Sequence, residues 1–180
     1  MSKVTVVSTR VTPRLRLNLV AADDFATGDT VLQCSQDEIQ ETRTWRTAQV
    51  GVGRHLKNEF LAYVDHSCDP NTLFDVDTLR LTALRDIPQG HPITFFYPGT
   101  EVELAQAFDC KCGATTCLKR VSGAFYLTRE QMQQALDQGI CTSFIERQFR
   151  LPDPRRHRRR AASCPASPPG ASGRRPEGFA

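Results

Sequence analysis

Asp65-His66-Ser67-Cys68-Asp69-Pro70-Asn71 is an unbroken run of residues that favour turns and bond their own backbone, with one imidazole and one thiol among them. Alone it reads as a capped loop. Its meaning depends on two later segments. Gly90-His91-Pro92-Ile93-Thr94-Phe95-Phe96-Tyr97 leaves a turn and enters an apolar, aromatic strand. Cys110-Lys111-Cys112-Gly113-Ala114-Thr115-Thr116-Cys117 then places three thiols within eight residues.

Those three thiols are too close to pair comfortably with one another, because a Cys-x-Cys disulfide is strained. Three converging thiolates suit Zn²⁺, which prefers tetrahedral sulfur at about 2.3 Å. Gly113 lets the loop wrap back with its amides towards the sulfurs. A closed structural site needs a fourth ligand, and the cluster does not supply one locally. The plain alternative is three small buried residues, but this density of thiols favours a metal. Cys34 and Cys141 are isolated and read as packing residues; Cys164 reads as an exposed thiol near the C-terminus.

Outward from these segments the chain shows many short strands. Val4-Thr5-Val6-Val7 is β-branched, and Leu15-Arg16-Leu17-Asn18-Leu19-Val20 alternates. The turn Asp23-Asp24-Phe25-Ala26-Thr27-Gly28-Asp29 leads into Thr30-Val31-Leu32. Arg85-Asp86-Ile87-Pro88-Gln89-Gly90 leads in the same way into Ile93-Thr94-Phe95-Phe96-Tyr97. Thr44-Trp45-Arg46-Thr47-Ala48-Gln49-Val50 predicts a strand, residues 55–63 a short helix or turn, and residues 78–83 another strand. The clearest helix comes late, where Thr128 and Gln131 form a capping box. It should run to about Gln138 and stop at Gly139. A second helical piece is expected over 142–150. The fold class is mainly β, or α+β, with no internal repeat.

Charge separates the chain into two parts. Residues 151–180 hold seven Arg against Asp153 and Glu177, while the other 150 residues carry a net charge of −2. The folded part is therefore nearly neutral and is not expected to present a nucleic-acid-binding surface. The tail, rich in Arg, Pro, Ser, Ala and Gly, is expected to be disordered. Nucleic acid is expected only through Arg155-Arg156-His157-Arg158-Arg159-Arg160. No apolar run is long enough to span a membrane, and no leader pattern is present. With seven cysteines, an odd number, the expected location is intracellular, nucleus or cytoplasm, and not secreted.

Taken together, the three segments identify the chain as resembling the SET-domain protein lysine methyltransferases, over about residues 10–125. Residues 65–71 resemble the signature Asn-His-Ser-Cys-x-Pro-Asn. Residues 90–97 resemble Gly-Glu-Glu-Leu-Thr-x-Asp-Tyr, and residues 110–117 the post-SET pattern Cys-x-Cys-x4-Cys. The likeness is closest to small, minimal SET proteins. It implies a SET-type fold of small sheets with a pseudo-knot and a C-terminal helix. It also implies a division into a SET domain (1–107), a post-SET zinc loop (108–125), a helical segment (126–150) and a disordered Arg/Pro-rich tail (151–180).

The resemblance makes Cys68 the fourth ligand beside Cys110, Cys112 and Cys117, around one structural zinc. It implies S-adenosylmethionine as methyl donor, contacted by Asn18, Leu19, Asp65, His66 and Leu118. Tyr97 takes the catalytic position, and Phe95 and Tyr63 line a channel for the target lysine. Phe96 and Phe108 read equally well as core. The implied partner is a protein substrate, histone or non-histone, with the oligomeric state open.

Several positions depart from the pattern. Arg16-Leu17-Asn18 replaces the early Gly-x-Gly, and Asp65 replaces the signature Asn. Ala62 replaces an Arg, His91 and Pro92 replace two acids, and Phe96 replaces an Asp. Gln33-Cys34 stands where a second channel Tyr often lies. The alternative function is therefore a catalytically degenerate SET domain that binds a peptide or partner.

Overall fold

The computed structural model describes residues 3–11 and 14–150; the Arg-rich run, Cys164 and the expected disordered tail lie outside them. Strands β1 (Val4–Val11) and β2 (Arg14–Ala21) form an antiparallel ribbon in register from Val4↔Ala21 to Val11↔Arg14. At its base Leu19 and Ala21 are buried, whereas Leu17 is 48% exposed.

The chain then passes through β3 (Thr30–Gln33), β4 (Ile39–Gln40), β5 (Ala48–Gly51), β6 (Arg54–Leu56) and β7 (Asp65–His66). It continues through β8 (Thr72–Asp75), β9 (Arg80–Ala83), β10 (Thr94–Phe95), β11 (Phe108–Asp109) and β12 (Arg120–Val121). Small sheets result: β3-β9-β8 and β4-β6-β5, both antiparallel, the parallel pair β10-β7 and the antiparallel pair β11-β12.

The two similar turns read in the sequence face each other. Gly28 and Gly90 take left-handed φ of 90° and 82°, which glycine adopts at no steric cost. Phe25 and Ile87 exchange backbone hydrogen bonds of 3.0 and 2.8 Å, and both side chains are buried. Leu56, Phe74, Leu81, Ile93 and Ile145 complete the centre of one shared core.

Helix α1 (Arg129–Asp137) begins as expected. Thr128 Oγ1 accepts the Gln131 N–H at 3.1 Å, and Gln131 Oε1 accepts the Thr128 N–H at 2.8 Å. Gly139, at φ 63°, follows its end. Helix α2 (Ser143–Arg150) buries Phe144 and Ile145, and its Thr142 N–H donates to the Gly99 carbonyl. No helix among the described residues is long and apolar enough to cross a membrane.

Three expectations need correction. Residues 44–47 are a turn rather than strand, because Thr47 Oγ1 accepts the Thr44 N–H and donates to the Thr44 carbonyl. The strand begins only at Ala48. Residues 54–56 are strand, and the helical element of 55–63 is a single 3₁₀ turn, Leu61–Tyr63. The strand expected over 93–97 shrinks to β10, because this segment changes partners. The Ile93 N–H donates to the Leu19 carbonyl, β10 pairs with β7, and Tyr97–Gly99 then coils into a 3₁₀ turn.

Candidate active site and thiol centre

The segment 65–71 is tied down on both sides. Asp65 and Ser67 donate their N–H groups to the carbonyls of Ile93 and Phe95, each at 3.2 Å. Asn71 closes the join. Its Oδ1 accepts from the Thr94 N–H (2.8 Å) and Oγ1 (3.1 Å), and its Nδ2 donates to the Pro92 carbonyl (2.8 Å). Arg85 bridges Asp69 and the Pro70 carbonyl, which holds the Asp69 carboxyl below its usual range. Replacing Asn71 by Ala should cost about 2–3 kcal/mol in chemical denaturation, because it leaves the Thr94 amide and the Pro92 carbonyl without partners.

This scaffold fixes His66 and Tyr97 against each other. The Tyr97 N–H donates to His66 Nδ1 at 3.2 Å, so the neutral ring carries its proton on Nε2, which lies 3.3 Å from Cys68 Sγ. Burial pushes the His66 pKa down to about 4, which keeps the ring neutral. The Tyr97 hydroxyl donates to the Val64 carbonyl at 2.7 Å. Around it stand Phe95 (ring centroids 4.8 Å apart), His66 (5.2 Å) and Phe108 (5.9 Å). The result is an aromatic wall with an acceptor-lined edge.

Directly behind His66 lie the four thiols. The Sγ atoms of Cys68, Cys110, Cys112 and Cys117 all fall within 4.8 Å of one another, with Cys68 and Cys110 4.0 Å apart. A tetrahedron of sulfurs about 2.3 Å from a central Zn²⁺ has edges of about 3.8 Å, so the set fits that ion. The backbone takes part as well. The Leu118 N–H points at Cys68 Sγ (3.4 Å), and Lys119 adopts a left-handed φ of 63° in the tight turn where the Arg120 N–H reaches back to the Leu118 carbonyl (2.7 Å).

Thiol acidity differs sharply between the cluster and the core. Burial pushes Cys34 and Cys141 up to about 12, and both pack in the main core. Burial also raises Cys68, and raises Cys110 to about 11. At Cys112 burial is outweighed by the amides of Cys68 and Ala114 and the thiols of Cys110 and Cys117, and its pKa falls to about 6. One thiol of the cluster is thus held more acidic than an ordinary cysteine.

The residues singled out in the sequence are distributed as follows. Asp65, His66, Phe95 and Tyr97 converge on β7-β10 and the turn after it. Leu118 packs against both the main core and the thiol centre. Tyr63 is half-buried beside Arg46, whose guanidinium sits 4.5 Å from the Trp45 ring and 6.0 Å from that of Tyr63. Asn18 is half-buried in β2, which lies against the Leu61–Tyr63 turn. The Leu19 side chain is fully buried and its carbonyl is bound by Ile93, so it faces the core rather than a ligand surface. Phe96 is core, while Phe108 packs on the thiol centre. Sequence reasoning missed the Val64 carbonyl, for which no side-chain pattern exists, and the bonding role of Asn71.

Residues 16–98 match the SET domain family model. The chain carries a SET domain. The small, mostly antiparallel sheets and two α-helices among the described residues form a SET-type fold. The SET domain and its surroundings are 38% identical over 85 residues to the methyltransferase flvH of Aspergillus flavus, covering 46% of this chain and 48% of that protein. They are 27% identical over 134 residues to ASHH4 of Arabidopsis thaliana, provisionally named a histone-lysine N-methyltransferase, covering 61% of this chain and 38% of that one. The chain thus spans less than half the length of these curated relatives. Among solved structures, KRYPTONITE in complex with mCHG DNA and SAH aligns at a TM-score of 0.46 and 16% identity, over 64% of this chain and 28% of that one. Its complex with mCHH DNA, an H3(1-15) peptide and SAH aligns at 0.44 and 17%, over 64% and 29%.

Proposed function

We propose that this SET domain is an S-adenosylmethionine-dependent protein lysine methyltransferase, with Tyr97 as its catalytic residue and one structural zinc on Cys68, Cys110, Cys112 and Cys117. The observation that carries the reading is the Tyr97 hydroxyl, held on the Val64 carbonyl inside an aromatic wall beside four clustered thiols. The relatives named as methyltransferases support it.

The donor set suits a cationic methyl donor, because the Asp65 carboxylate, the Val64 carbonyl and the aromatic faces all attract positive charge. S-adenosylmethionine supplies a sulfonium-activated methyl group. Asp65 and His66 border its place from the signature segment, Leu118 from the post-SET loop, and Asn18 from β2, while Leu19, first read as a contact, is left to the core. Tyr97 commits its proton to Val64, which leaves the phenol oxygen as an acceptor for an N–H of the lysine amine. Phe95 and Tyr63 give that lysine an apolar wall, which disfavours the charged ammonium and so favours the nucleophilic amine. Since in-line displacement needs little more than alignment, a rigid wall supplies much of the rate.

The substrate is proposed to be a protein, histone or non-histone, within the cell. Contact with nucleic acid would fall to the Arg-rich run of residues 155–160. Calorimetry of zinc-loaded protein with S-adenosylmethionine is the first test, followed by labelled methyl transfer to a histone and peptide panel. Binding and transfer together are expected. Absence of cofactor binding would sink the enzyme reading and leave the partner-binding module.

A further inference from the structure

Glu101 follows the Tyr97 turn, and its carboxyl is almost wholly buried, with the residue 8% exposed. No motif in the sequence marks it. It nonetheless joins three separate parts of the fold. Its N–H donates to the Tyr97 carbonyl (2.8 Å), its own carbonyl accepts the Ala124 N–H (2.8 Å), and its Oε1 accepts the Gln49 N–H (2.6 Å). Gln49 returns the contact, since its Oε1 accepts the Val102 N–H at 3.0 Å. Two side chains therefore each cap a backbone amide of the opposite segment, 49 and 102.

The surroundings leave this segment little freedom. A Cβ on Gly99 would collide with the Ile140 carbonyl oxygen, and the Gly99 carbonyl is bound by the Thr142 N–H. Gly123, at φ 118°, holds the other side, where a Cβ would meet the Val102 carbonyl oxygen at 2.6 Å. Between these fixed points the Gln49–Glu101–Val102 exchange links the segment to β5.

We infer that Glu101 is a positioning residue for Tyr97: its buried acceptor, paired with Gln49, locks the turn that carries the phenol to the β4-β6-β5 sheet. The inference rests on the reading of Tyr97 as catalytic for its kinetic consequence, but not for its structural one. Burying a carboxyl is unfavourable, and a packing role would be served better by an apolar side chain. Burial pushes this one up to about 7, against the pull of the Gln49 N–H and of Arg43, which is itself anchored on the Glu103 carbonyl at 3.1 Å. What a carboxyl or amide offers here, and a hydrocarbon does not, is an acceptor at the Gln49 amide.

The test uses the full zinc-loaded chain in three variants, Glu101→Gln, Glu101→Leu and Glu101→Asp. Gln keeps the acceptor without charge, Leu removes it, and Asp withdraws it by one methylene. Amide hydrogen exchange at Gln49 and Glu101 is read together with kcat and KM for methyl transfer. Expected are faster exchange at Gln49 in Leu and Asp, near-normal exchange in Gln, and kcat lower by about tenfold or more in Leu and Asp with KM nearly unchanged. If Leu does not fold, Asp against Gln carries the comparison. Protection of Gln49 retained in Asp, or Gln behaving as badly as Asp, would overturn the inference. If no chain transfers methyl groups, the exchange data alone decide it, so failure of the enzyme reading stays distinguishable.

A pH series gives an independent check. With a folded pKa near 7, above the free carboxyl value, wild-type stability should fall relative to Glu101→Gln as pH rises from about 5 to about 8. A difference that stays flat with pH would show the carboxyl is not held buried, and would also overturn the inference.

Discussion

Replacing Cys68 by Ser is expected to release most of the zinc and to lower the melting temperature by about 10 °C or more, although Cys68 lies far in sequence from the other three thiols. The Cys68 sulfur sits at the junction of the site. It is 4.0 Å from Cys110 Sγ, 3.3 Å from His66 Nε2 and 3.4 Å from the Leu118 amide. A serine oxygen is harder and shorter than a thiolate, so the tetrahedral set would become incomplete. The post-SET loop would then lose its tie to the signature segment. Because the domain has a separate core of its own, the cost should appear as loss of the 110–118 wall and of about 3 kcal/mol or more rather than as complete unfolding. Cys34→Ser is the matched control, since Cys34 is buried but belongs to the main core. It should destabilise without loss of metal. Zinc measured per chain by atomic absorption, alongside calorimetric melting, separates the two cases. Full occupancy in Cys68→Ser would break the proposed four-thiol set.

The consequence of metal loss for methyl transfer follows from the same contacts. His66 connects the thiol centre to Tyr97, because its Nε2 faces Cys68 and its Nδ1 accepts the Tyr97 amide. Release of Cys68 would remove one of the two groups that set the imidazole orientation, and Tyr97 would lose a fixed neighbour. The zinc is thus proposed to act on the reaction only through geometry.

Much of this was legible in the sequence, where local chemistry and long-range packing agree. The capping box at Thr128 and Gln131 and the stop at Gly139 are properties of a few adjacent residues, and α1 follows them. The β-branched and alternating runs near the N-terminus gave β1 and β2 for the same reason. Failures occurred where a side chain competed with the backbone or where pairing partners lay far away. Thr47 turned an apparent strand into a turn. Thr72–Asp75, a short piece after Pro70, is a strand only because β9 pairs along its whole length. At the site, the thiols and aromatic residues could be picked out by type and spacing. The Val64 carbonyl and the left-handed Lys119 could not, because they act through the backbone. Glu101 was equally hidden, since its meaning comes from Gln49, more than fifty residues earlier.

Tyr97→Phe should retain zinc and cofactor binding while methyl transfer falls on the order of 100-fold or more. The aromatic wall would survive, because Phe keeps the ring that packs on Phe95 and Phe108. What disappears is one oxygen, the donor to Val64 and the proposed acceptor for the lysine amine. The folding cost should be modest, about 1–2 kcal/mol for a single hydrogen bond to the carbonyl of the buried Val64. That separation makes the variant informative: a large kinetic effect on a nearly unchanged domain can come only from the hydroxyl. Single-turnover transfer from labelled S-adenosylmethionine at saturating peptide is the appropriate measurement, since it reads the chemical step without product release. Transfer at the wild-type rate would remove Tyr97 from its assigned role and move attention to the Asp65 carboxylate and the His66 ring of β7.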